Sequence, residues 1–113
     1  MTPASQKQPA LHSVRIQIRG NGFAYTTPEH PDAATIHVRR GDQVKWNCDH
    51  GNYTVLFKGE SPFEAVAVHG RKNTDTTVSV VTGKYGSYKY AVTVALSDGG
   101  LIVDDPEIII DGD

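Results

Sequence analysis

Cysteine occurs once in this chain of 113 residues, at Cys48, so an internal disulfide is impossible. A lone thiol suits a reducing compartment. Charge of one sign is also lacking: 11 Lys and Arg stand against 13 Asp and Glu, a net charge of −2. That balance generates no field of the kind that recruits nucleic acid or an anionic membrane, and neither is expected as a partner. No apolar run approaches the roughly 18 residues needed to cross a bilayer. The opening stretch, MTPASQKQPALHS, has no apolar core segment and is not a secretory signal. A cytoplasmic location is expected, or a periplasmic one if a signal peptide was removed. Helical periodicity is missing throughout, as are fixed-period repeats.

Alternation with period two is abundant. Residues 13–19 set Val14, Ile16 and Ile18 against Arg15, Gln17 and Arg19. Phe23 and Tyr25 share one side of the next segment. Ile36 and Val38, then Val44 and Trp46, alternate with polar residues on either side of a Gly41-Asp42 turn. Tyr53, Val55 and Phe57 are in phase. TTVSVV (76–81) is β-branched, SYKYAVTVAL (87–96) is the longest strand, and LIVDDPEIIID (101–111) follows a tight turn at SDGG. The expected architecture is all-β, an antiparallel Greek-key sandwich of about seven or eight strands over residues 13–111, with a flexible lead-in at 1–12. The expected core is Val14, Ile16, Ile18, Ile36, Val38, Val44, Trp46, Val55, Phe57, Val78, Val80, Tyr90, Val92, Val94, Ile108 and Ile110.

Three segments carry a family resemblance. TIHVRRGDQVKWN, GNYTVLF and GKYGSYKYAVTV resemble the successive strands of cupredoxins. With DPEIII (105–110) the whole is similar to small uncharacterised bacterial cupredoxin-like domains. The resemblance implies a cupredoxin-like sandwich. It does not carry the copper site, because the position of the first histidine ligand falls near Asn52 or Tyr53. The cysteine position falls near Val92 or Val94, and residues 91–103 hold no His, Cys or Met. A type 1 centre requires a thiolate, two imidazoles and a weak axial ligand.

Cys48 and His50 are the best metal candidates, two residues apart in WNCDHGN, with His69 as a third ligand if the 59–75 connection folds over the same end. A thiolate beside imidazoles suits copper or zinc. The competing reading makes Cys48 a small semi-buried hydrophobe and His50 a solvated turn residue. No serine lies in a nucleophile elbow, and Asp42, His50 and Ser61 have no motif around them, so an enzyme is not expected. The acidic C-terminal stretch lacks the spacing of a calcium loop and reads as a solvated face. Its charges and Pro106 would blunt a strand edge, unless EIII is central and buries its isoleucines. Tyr88 and Tyr90 are expected to pack under a loop, each hydroxyl finding a backbone partner. The 59–75 connection, with Phe63, Val66 and Val68, is the segment most expected to bind something.

The sequence thus supports a non-enzymatic binding or interaction module with no cofactor, its partner another protein or a second copy of itself. The alternative is a copper- or zinc-binding protein built on Cys48, His50 and His69.

Overall fold

A computed structural model describes residues 9–20, 22–96 and 99–112. The lead-in up to Gln8, together with Ser97 and Asp98 of the SDGG turn, lies outside the described residues. The rest is all-β, with ten strands and no helix among the described residues, and so no helix long and apolar enough to cross a membrane. The strands are β1 (Leu11–Arg19), β2 (Gly22–Thr26), β3 (Thr35–Val38), β4 (Gln43–Cys48) and β5 (Asn52–Phe57). They continue with β6 (Ala67–Gly70), β7 (Ser79–Val80), β8 (Gly86–Ala95), β9 (Leu101–Asp104) and β10 (Glu107–Ile110). The first strand begins at Leu11, ahead of the expected Ser13.

Two sheets face each other. The first has the order β2-β1-β4-β7; the second runs β3-β10-β8-β5-β6, with β9 also paired to β8. Two pairs are parallel, β1 with β4 and β3 with β10; the others are antiparallel. The chain passes repeatedly from one sheet to the other, so both contribute alternate residues to one core. Trp46, Tyr90, Ile16, Ile108 and Val92 are fully enclosed there. Trp46 meets Phe63 and Tyr90 edge-on at 5.9 and 5.8 Å, and Phe57 lies 5.4 and 5.1 Å from the same two rings. Such edge-to-face contacts add about 0.5–1.5 kcal/mol beyond the area they bury.

Several expectations require correction. Ten strands replace the expected seven or eight. The 59–75 connection contributes β6, and Pro106 divides the last segment into β9 and β10, which pair with different halves of β8. The β10 strand is interior, between β3 and β8. Ile108 and Ile110 are buried and Ile109 half-buried, so of the two arrangements kept open for EIII the central one holds. The TTVSVV segment yields only a two-residue strand. Val78 and Val80 face solvent, each 46% exposed, while Val81 is buried. The reason is a pair of backbone bonds: the Val81 N–H donates to the Asp42 carbonyl, and the Gly41 N–H donates to Val81. They fix the phase of the strand with Val81 inward. Ile18 is half-buried at the rim, and the core gains Tyr25, Cys48, Tyr53, Phe63 and Tyr88.

Two glycines are required by close approach. A Cβ on Gly70 would lie 2.0 Å from the Tyr53 ring, and one on Gly51 would lie 1.8 Å from the Ala95 carbonyl oxygen. The Tyr53 hydroxyl lies 2.7 Å from the Trp46 carbonyl oxygen and 2.6 Å from that of Thr74, tying β5 to β4 and to the chain that follows β6.

Candidate functional site

The three residues expected to hold a metal are separated by strand parity. Cys48 continues the inward series Val44, Trp46 on β4 and is fully buried as a free thiol. His50 lies exposed in the bend before β5. His69 lies on β6, exposed, with Nδ1 3.0 Å from the Thr54 hydroxyl. The buried thiol faces the interior and the two imidazoles lie outside it. Among the described residues no three His, Cys, Asp or Glu side chains group as an ion would require. Tyr53, Val92 and Val94, at positions where the resemblance would place copper ligands, are buried among apolar side chains.

The 59–75 connection is exposed over most of its length but is anchored by some of its apolar residues. Phe63 is buried against Trp46 and Phe57 and Val68 is partly buried, while Val66 is 53% exposed. The Ser61 hydroxyl donates to the Ala65 carbonyl and accepts the Phe63 N–H, folding the loop on itself. Tyr88 and Tyr90 are enclosed, as expected, but only Tyr88 finds the expected backbone partner. Tyr88 donates to the Lys84 carbonyl at 2.6 Å, and Tyr90 receives the Trp46 indole N–H at 3.4 Å. Burial pushes the Tyr90 phenol well above its ordinary range. It is a structural group.

The most distinctive surface is one that sequence reading did not single out: the outer face of β9, β8, β5 and β6. Strand registers arrange it in rows. Val103 stands beside Thr93, then Thr54, then His69; Leu101 stands beside Ala95 and Asn52; Ala91 stands beside Leu56 and Ala67. Leu101 is 65% exposed, Val103 60% and Leu56 41%. Single exposed hydrophobes are ordinary, but here three stand on one sheet face with alanine and threonine between them. Arg71 and His69 stand at its rim, beside a depression of about 410 Å³ next to Leu101 and Thr93. The signal was present in the alternation of β9, where Leu101 and Val103 share a face. Reading it required knowing that this face has no covering layer.

The outer face of the first sheet carries ion pairs along β1 and β4, with the exposed Leu11 and Val80 on either side of Gln43 at one end. Arg15 pairs with Asp49 at 2.8 Å and Lys45 with Asp75 at 2.8 Å, and the Asn47 amide donates to Asp75. Bonds from Lys45 and then Asn47 hold the Asp75 carboxyl below its usual range. At the strand ends, Asp42 accepts the N–H groups of Ala10 and Arg39 and lies 2.9 Å from His12 Nε2. No nucleophile accompanies that pair in its contacts.

No protein-family model matches the chain, and no curated protein matches it at a significant level. The functional reading therefore rests on the surface itself.

Proposed function

We propose that this protein is a non-enzymatic interaction module, a cupredoxin-like sandwich whose metal-bearing loop is replaced by ordinary strand. The observation that carries the reading is the uncovered apolar face around Leu101, Val103 and Leu56. Burying such side chains against a partner contributes about 25 cal/mol per Å² of apolar area removed from water. A flat sheet face with small residues between larger ones suits close packing of a second flat surface, either another protein or a second copy of this chain. The absence of a thiolate–imidazole cluster from Tyr53, Val92 and Val94 supports a role other than electron transfer. In this reading the module works in the cytoplasm, where its one thiol stays reduced, and binds neither nucleic acid nor membrane.

Replacing Leu101 and Val103 together by lysine tests the proposal. The fold should persist, because both side chains already face water. Sedimentation velocity over a range of concentrations, with affinity purification of the wild-type chain alongside, should show self-association or a co-purifying protein. The double variant should lose it. A wild-type chain that stays monomeric, with every co-purifying protein retained by the variant, would refute the reading.

A further inference from the structure

We propose that the protein forms a weak, reversible two-fold dimer in which β9 pairs antiparallel with β9 of a second copy, joining the two second sheets edge to edge. This rests on the reading that association takes place around Leu101 and Val103. It names the second copy as the partner and the strand edge, rather than a stacked face, as the contact.

Hydrogen-bond parity exposes the edge. The β9 and β10 strands lie along the same side of β8 in one register, from Leu101 opposite Ala95 to Ile110 opposite Gly86. The Leu96 N–H donates to the Gly100 carbonyl and the Tyr90 N–H to that of Pro106, so residues of even number turn their backbone groups toward β8. The Glu107 N–H donates to the Ala34 carbonyl and the Asp111 N–H to that of Val38, so residues of odd number turn theirs away from β8. The β3 strand lies alongside Glu107–Ile110 only. The N–H and C=O groups of Leu101 and Val103 therefore point outward, and among the described residues no strand pairs with β9 beyond them. The edge is held in place without such a neighbour, because the Tyr25 hydroxyl donates to the Asp104 carboxylate at 2.9 Å and ties β9 to β2 of the other sheet. An open edge bearing apolar side chains is a template for strand pairing. One that is already fixed binds with little ordering cost.

The stretch is complementary to itself. With a two-fold axis at Ile102, Leu101 of each copy stands opposite Val103 of the other. Each such pair exchanges both of its backbone bonds, which uses every outward group of the two residues. The side chains match as well. Leu101 and Val103, both exposed, meet their counterparts on the outer face, and the half-buried Ile102 meets its own copy on the inner face. Gly100, which has no side chain, faces Asp104, so no carboxylate opposes another there. An axis at Val103 would instead set Asp105 against Leu101. A foreign strand could satisfy the same backbone groups, but the second copy supplies the side-chain match too. So short a pairing buries less than the ~1,200 Å² of a stable complex, which makes the association weak.

Amide hydrogen exchange and sedimentation velocity, each over a range of concentrations, test this. The Ile102 and Asp104 amides should be protected throughout. Those of Leu101 and Val103 should gain protection only as the dimer fills. Val103→Pro removes an N–H that β8 does not use, so the monomer should keep its thermal midpoint. Its dimer should weaken at least ~10-fold. Leu56→Lys, on β5 and away from the edge, should change dimerisation by less than ~3-fold. Ile102→Cys should give a disulfide-linked dimer under mild oxidation, because the paired Cα atoms would lie about 4.5 Å apart. The enclosed Cys48 does not compete. This crosslink decides the matter if Val103→Pro proves unstable. A dimer lost in Leu56→Lys but kept in Val103→Pro, or crosslinked through Leu56→Cys and not through Ile102→Cys, would overturn edge pairing and leave the apolar face as the contact. A chain monomeric at every concentration would overturn the dimer itself. The apolar-face reading would then still stand if a co-purifying protein is lost from the Leu101→Lys/Val103→Lys variant.

Discussion

Asp42 shows how one side chain can fasten three pieces of chain. It follows Gly41, whose φ of +94° favours glycine, and it takes bonds from Ala10, Arg39 and His12. Burial by itself would raise its carboxyl; the bonds from His12 and from the two amides outweigh burial and hold it below the ordinary range. A carboxyl depressed in the folded state stabilises the fold above its unfolded pKa of about 4, and that contribution fades as pH falls through the lower folded value. Asp42→Asn should therefore cost about 1.5–3 kcal/mol near neutrality. The gap between variant and wild type should narrow below about pH 4, the ordinary aspartate range. Urea unfolding at neutral and acid pH checks both points. Gly70 gives a second test, since any Cβ there collides with Tyr53. Gly70→Ala should cost about 1–3 kcal/mol, as overpacking does. The Gly41-Asp42 turn was legible in the sequence. The carboxylate's three partners were not, because Ala10 and His12 lie some thirty positions away and only the parallel β1–β4 pairing brings them there.

At the scale of elements, alternation located most strands and gave their facing correctly where one face is plainly apolar and the other plainly polar. Val44, Trp46 and Cys48 are such a case. That parity places Cys48 inside and leaves His50 and His69 without a thiolate partner. TTVSVV failed because both of its phases are acceptable: Val78 and Val80 on one side, Val81 on the other, with no charge to choose between them. The choice came from Gly41 and Asp42 across the sheet. A substitution pair makes the distinction measurable. Val80→Thr should change stability by no more than about 0.5 kcal/mol, as exposed positions do. Val81→Ala should cost about 2 kcal/mol through lost burial and an unfilled space. A larger loss from Val80→Thr than from Val81→Ala would mean that the phase is the reverse of the one described. The candidate binding surface was illegible for a related reason. Alternation shows that Leu101 and Val103 share a face. It does not show which face lacks a cover.

For the molecule as a whole, the deciding feature is that both parallel pairs join segments distant in sequence. The β1 strand waits for β4, and β3 waits for β10 near the end of the chain. Loops of that length must close before their contacts form, which places folding among the slower two-state β proteins, on the order of milliseconds to seconds. Cys48 provides a probe already in place. It is fully enclosed near the end of β4, beside β1 and under the second sheet, so a thiol reagent reaches it only when the strands part. Local fraying at the two-residue β7 leaves it covered. With reclosing fast relative to reaction, the labelling rate should fall below that of the unfolded chain by the factor that separates the folded and unfolded populations, about 10³ or more. Asp42→Asn and Gly70→Ala should each accelerate labelling in proportion to their loss of stability. Leu101→Lys/Val103→Lys, which alters only exposed side chains, should leave it unchanged. Rapid labelling of the native wild-type protein would place Cys48 at the surface. That would undo the inward parity of β4, and it would reopen a thiolate–imidazole site with His50.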